Sequence, residues 1–164
     1  TPCRLPGVDP GLHRCGWGLI VSEGSRQSHI APGVVTPDPK LSLAERLAAV
    51  CAGLEEVIAA HSPDEAAVEE TFVNANPRAA LALGQARGAA MVAVARCGLM
   101  AGEYPPATIK KAVVGTGQAD KTQVAFMVRR LLPACGDAGA DAADALAVAI
   151  CHAAHGGFRK RAGG

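Results

Sequence analysis

Carboxylates at three places along the chain stand out for their positions. Asp9 ends a short apolar run, directly before Pro10-Gly11. Glu69 and Glu70 close a second such run, Ala66-Ala67-Val68. Asp141 and Asp144 lie three apart on one face of a helical pattern, near its start. Taken singly, each has an ordinary role: Asp9 as a turn former, the glutamates as a solvated strand end, Asp141 and Asp144 as helix-start acids favoured by the dipole. Taken together, four converging carboxylates repel, and a divalent hard cation with oxygen ligands is the natural remedy. Two such ions about 3.5–4 Å apart can stabilise the attacking and leaving oxygens of a phosphoryl displacement. A strand with Val68 buried sends Glu69 to one face and Glu70 to the other, and chain order alone does not say which faces inward.

The elements that would carry these residues follow from periodicity and turn chemistry. Three strands are expected at Leu5–Asp9, Gly16–Val21 and Ile30–Val35, separated by Asp9-Pro10-Gly11 and Glu23-Gly24-Ser25. Ser42-Leu43-Ala44-Glu45 has the form of a capping box, and Leu43, Leu47, Val50, Leu54, Val57 and Ile58 recur at helical spacing, predicting a helix near 43–60. A brief buried strand follows at 66–68. Asn76-Pro77 opens a helix over 77–97, apolar almost all round and therefore expected to be buried on more than one side. Gly84 and Gly88 on it would let another helix approach closely. A fifth strand is expected at Leu99–Glu103, then helices at 107–113, before Pro133, and from Asp141 to His155. This order gives one domain over residues 1–155, an α/β fold with a mixed five-stranded sheet and helices on both faces, and a basic flexible tail over 156–164.

Composition agrees with one compact unit. The 164 residues are 49% apolar and 19% charged, enough for a core and too apolar for a disordered chain. With 34 alanines and five aromatic residues, that core must gain density from close backbone approach rather than from large rings. The stretch from Ala79 to Met100 is interrupted by Gln85, Arg87 and Arg96 and cannot serve as a membrane span. Six scattered cysteines without a CxxC pair read as reduced thiols, and with no secretory signal visible the expected location is the cytoplasm. The net charge of +1 hides an asymmetry, −4 over residues 1–82 and +5 over 83–164, which can set an acidic site beside a basic docking surface.

Several motifs carry a resemblance. Gly7-Val8-Asp9-Pro10-Gly11 with Gly16-Trp17-Gly18, and Val68-Glu69-Glu70-Thr71-Phe72, resemble segments of the RuvC family of Holliday junction resolvases. So do Leu83-Gly84-Gln85-Ala86-Arg87-Gly88, Lys110-Lys111-Ala112-Val113-Val114-Gly115 and Asp141-Ala142-Ala143-Asp144-Ala145-Leu146-Ala147. The similarity runs from about Arg4 to His155, and the LGQARG and DAADALA segments are its most specific parts. It implies an RNase H-like fold and a homodimeric endonuclease that cuts four-way DNA junctions symmetrically, leaving 5′-phosphate and 3′-hydroxyl ends. By the same resemblance Asp9, Glu69, Asp141 and Asp144 are the catalytic, metal-binding carboxylates, with Mg²⁺ or Mn²⁺, two ions per subunit. Phe72 matches an aromatic that stacks near the junction point, and Lys110, Lys111 and Lys121 match basic residues that contact DNA. The family's partner is the RuvA–RuvB branch-migration machinery. Pro6 departs from the pattern by standing where an aliphatic strand residue is usual, and it is expected to shorten the first strand or leave an N–H position unpaired.

Rival readings are an RNase H-like nuclease acting on RNA or on another branched DNA, a phosphotransfer protein of the actin and sugar-kinase type, and a non-catalytic DNA-binding module. The second needs two domains around a nucleotide, more than 164 residues supply. The third is disfavoured because all four acidic positions are filled.

Overall fold

Alternating apolar residues between Gly and Pro clusters build the sheet. The computed structural model describes residues 2–71, 76–136 and 138–162. Strands β1 (Cys3–Asp9), β2 (Cys15–Glu23) and β3 (Arg26–Val35) form a continuous antiparallel meander. Strands β4 (Ala66–Glu69) and β5 (Ala101–Tyr104) add in parallel on the other side of β1, giving the order β3-β2-β1-β4-β5. The sheet is thus mixed and five-stranded, as expected, with β5 starting two residues later than its apolar run suggests. Pro6 does not shorten β1: it pairs in register with Leu19, while the parallel ladder to β4 covers Gly7 and Val8, just downstream of it.

Helices cover both faces. Helices α1 (Leu43–His61) and α2 (Pro77–Arg96) lie on one, burying Val50, Leu54 and Val94 against Val8 and Val68. The expected capping box of α1 is present, with Ser42 accepting from the Glu45 N–H and Glu45 reaching back. On the other face lie α3 (Pro106–Val114), α4 (Lys121–Leu131) and α5 (Ala140–Ala162), packed over Leu5, Ile20 and Ala67. Helix α5 crosses the sheet centre so closely that a side chain at Gly7 would run into the Ala145 carbonyl oxygen and the Ala149 amide. Ala142, Ala145 and Ala149 on α5 are fully buried there, so the alanine-rich composition becomes a helix seated almost on the strand backbone.

Two helices differ from expectation. Helix α2 is buried on one side only, through Ala86, Ala90, Ala93 and Val94. Its opposite stripe is open, with Leu81 63% and Val92 50% exposed and clear space around Gly84 and Gly88. Alanine and glycine satisfy an apolar pattern without requiring burial, which is why the periodicity suggested more. Helix α5 continues past His155 to Ala162, because Gly156-Gly157 weakens a helix without the steric block a proline would impose. Among the described residues no helix is long and apolar enough to cross a membrane.

Candidate active site

Strand parity decides which side chains meet. Leu5 and Gly7 face α5, so Asp9 does too, at the carboxyl end of β1. In β4, Ala67 belongs to the α5 side and Val68 to the α1/α2 side, which turns Glu69 toward α5 and Glu70 away. Glu69 and Asp9 therefore sit side by side at the ends of neighbouring parallel strands, where open α/β sheets place their ligand sites. Glu70 instead approaches Arg87 of α2 at 3.8 Å, and Arg87 also pairs with Glu103 of β5.

Asp9, Glu69 and Asp144 line one cleft of about 260 Å³, together with Thr71, Lys110 and Lys121. Pro106, Ile109, Val124 and Ala147 form its apolar wall. Thr71 donates its hydroxyl to Glu69 Oε1 at 3.4 Å. Lys110 reaches the cleft from α3 and Lys121 from the start of α4, whose capping box on Asp120 fixes that first turn. Lys121 Nζ lies 3.9 Å from Asp144 Oδ2, yet its side chain is 91% exposed, so this pair is screened and the ammonium is available to a ligand.

The electrostatics record the crowding. Burial, a side-chain hydrogen bond with Glu69, and the charges of Glu69 and Asp144 together push the Asp9 carboxyl up to about 9, with Lys121 offsetting part of the rise. Asp9 therefore holds its proton to higher pH than an isolated carboxyl, and it shares a hydrogen bond with Glu69. Asp144 is also raised, chiefly by burial, with Lys121 opposing and Glu69 and Asp141 adding repulsion. Beside them Cys15 is buried and its thiol is pushed up to about 12, mainly by desolvation, which makes it inert packing rather than a nucleophile.

Of the residues singled out from the sequence, Asp9, Glu69, Asp144, Lys110 and Lys121 share this cleft. Asp141 does not: its Oδ2 accepts from Arg14 Nε at 2.7 Å at the rim. Lys111, next to Lys110 on α3, faces a separate groove between α3 and α5 that also contains Thr108 and His155. Phe72 lies outside the described residues. Arg14 was missed, although a basic residue in the loop directly after Asp9 was a visible signal. For a hard divalent cation the donors are right in kind, being oxygen ligands from carboxylates that line one cleft. They are not yet gathered: among the described residues no three His, Cys, Asp or Glu side chains are grouped to hold an ion.

Both the sequence and the fold resemble those of known proteins. Residues 5–152 match the family described as crossover junction endodeoxyribonuclease RuvC. The crossover junction endodeoxyribonuclease RuvC of Caulobacter vibrioides is 57% identical over 152 residues, covering 93% of this chain and 90% of that protein. The counterpart from Rhodospirillum rubrum is 59% identical over 150 residues, covering 92% and 89%. Among solved structures, Thermus thermophilus RuvC in complex with a Holliday junction substrate superposes with a TM-score of 0.84 at 34% identity, covering 92% of this chain and 93% of that one. The architecture is RNase H-like, in agreement with the sheet and helix order described above.

Proposed function

Because the chain belongs to the RuvC family of crossover junction endodeoxyribonucleases, we propose that it resolves four-way DNA junctions by hydrolysing one phosphodiester on each of two opposed strands, leaving 5′-phosphate and 3′-hydroxyl ends. The observation that carries this reading is the cleft that joins Asp9, Glu69 and Asp144 to Lys110 and Lys121. Carboxylates alone would hold a cation, and lysines alone would hold any polyanion. Both at one strand end suit a phosphodiester that must be gripped and cut.

Asp9, Glu69 and Asp144, joined by Asp141, are the residues that would hold Mg²⁺ or Mn²⁺, two ions per subunit. When bound, such ions stabilise the attacking and leaving oxygens of an in-line displacement. The chain's own contributions are separable from that chemistry. Lys110 and Lys121 grip the phosphates flanking the scissile bond and fix its register without reading sequence. Ile109, Val124 and Ala147 exclude water from one wall and strengthen every charge interaction in the cleft. Thr71 restrains Glu69 from the side. Lys111 extends the basic surface to the far side of α3, and Phe72 is the aromatic proposed to stack at the branch point.

Cutting two opposed strands in equivalent places calls for two equivalent sites, so we place two copies of the chain about a two-fold axis with α2 at the contact. A RuvA–RuvB type branch-migration complex is the partner this activity implies. The deciding experiment incubates the chain with a synthetic mobile four-way junction, a linear duplex and an RNA–DNA hybrid, each with Mg²⁺, Mn²⁺ or chelator. Paired, metal-dependent cuts confined to the junction are expected. Equal cutting of the hybrid would overturn the substrate assignment, and cutting in chelator would overturn the role of the carboxylates.

A further inference from the structure

Asp141 is the carboxylate that stands apart, and the reason is visible in two close backbone approaches. Gly11 lets the loop after β1 fold so tightly that a side chain there would strike the Arg14 carbonyl oxygen. Gly16 lets the start of α5 press on β2 so closely that a side chain there would strike the Asp141 carbonyl oxygen. The loop and the helix start are thereby fixed beside each other, and Arg14 Nε meets Asp141 Oδ2 at 2.7 Å. Asp141 is 32% exposed in its side chain and does not line the cleft that holds Asp9, Glu69 and Asp144. It nevertheless lies one helical turn before Asp144 on the same face of α5, and Asp144 lines the cleft. A carboxylate one turn from the cleft but engaged by a guanidinium outside it has two competing partners.

We propose that Arg14 is a positioning residue that holds Asp141 at the rim of the cleft, so that a divalent cation gains its fourth carboxylate only by displacing the Arg14 guanidinium. The inference rests on the cation-binding role of the carboxylates proposed above. Its energetic scale is set by the exposure of the pair. Arg14 is 63% exposed, so the competition is worth a few-fold in cation affinity rather than orders of magnitude. Once displaced, the guanidinium stands at the mouth of a site for DNA, where a phosphate is its natural next partner.

Loss of any positive charge near a cation site raises affinity, so the test must separate the specific contact from bulk electrostatics. Free Mn²⁺ is followed by its electron paramagnetic resonance signal during titration of the DNA-free, full-length chain. Four proteins form a double-mutant cycle: the unmodified chain, Arg14→Gln, Asp141→Asn and both together. Arg14→Gln is expected to bind Mn²⁺ about two- to five-fold more tightly than the parent, the range of an exposed pair. In the Asp141→Asn background the same change should have a clearly smaller effect, limited to bulk electrostatics, and Arg14→Lys should return affinity toward the parent. An equal gain in both backgrounds would show a general charge effect and overturn the proposal, as would no gain at all. If the unmodified chain and every variant fail to bind Mn²⁺ saturably, the cation-binding role itself falls. That result is distinct from saturable binding that is indifferent to Arg14.

Discussion

Asp9 makes the sharpest prediction at the scale of single residues, because its protonation is linked to folding. Its carboxyl is pushed up to about 9 in the native state by burial and by Glu69 and Asp144, whereas an unfolded chain releases that proton near the ordinary aspartate value of 3.8. Between those two pH values the native state binds the additional proton, so the stability of the metal-free protein falls as pH rises through that window. Asp9→Asn removes the titrating group while keeping its shape. In chelator at pH 8 the Asn variant should therefore melt at or above the parent's temperature, and its melting temperature should vary less with pH. Added Mn²⁺ should stabilise the parent more than the variant, since a ligand bound only by the native state acts by mass action. A variant that melts lower at both pH 5 and pH 8 would make Asp9 a structural turn former instead. Lys121 gives a second test at this scale. Each phosphate neutralised on duplex DNA contributes about 0.9 to the slope of log affinity against log salt, so Lys121→Ala should flatten the slope of junction binding by about one. Binding that weakens equally at all salt concentrations would mean that this exposed lysine touches no phosphate.

Elements decide whether the residues meet, and here α5 against β1 is the controlling contact. Gly7→Ala would press a methyl into the Ala145 carbonyl and the Ala149 amide, backbone atoms with no rotamer to yield, and should cost about 1–3 kcal/mol as overpacking. Gly156→Ala, on α5 with nothing within 4 Å, should have the opposite sign and stabilise by up to about 1 kcal/mol through helix propensity. Thermal melts of the two variants would show this. A neutral Gly156→Ala would mean that the end of α5 contributes little to stability. The sequence is informative about such contacts to an uneven degree. Strand alternation around Val68 was enough to send Glu69 and Glu70 to opposite faces, because parity in a strand is geometric, whereas the choice of Glu69 as the partner of Asp9 came from the resemblance. The Ser42–Glu45 box was equally legible, since a cap is local. The Arg14–Asp141 pair was not: it joins positions 127 apart through side-chain torsions that no periodicity encodes. Nor could hydropathy tell that α2 would be covered on one side only, because alanine and glycine suit a core and an open interface equally well.

At the scale of the whole molecule, the stripe of α2 formed by Leu81, Gly84, Gly88 and Val92 stands exposed in a single copy. These positions are three or four apart and share one helix face. Leu81 and Val92 are exposed by more than half, and a side chain at either glycine would meet open space within the chain. Pairing this face with its own copy about a two-fold axis would bury both apolar residues, with the glycines allowing the backbones to approach. The same axis would relate two clefts for two opposed strands. Gly88→Leu should leave the fold of one copy intact, since among the described residues nothing lies within 4 Å of a Cβ placed there, while overpacking the contact between copies. At an overpacking cost of about 1–3 kcal/mol the dimer should dissociate about five- to 150-fold more readily. Sedimentation velocity at micromolar concentration should show a dimer for the parent and a shift toward monomer for the variant. The consequence for chemistry is specific to symmetry. On a supercoiled plasmid bearing a cruciform, paired cutting yields linear product, and cutting by separated copies yields nicked circles. Gly88→Leu should raise the ratio of nicked to linear product, most strongly at low protein concentration, and raising the concentration should restore the parent's ratio. A parent chain that sediments only as monomer and still produces linear product directly would remove the two-fold contact through α2.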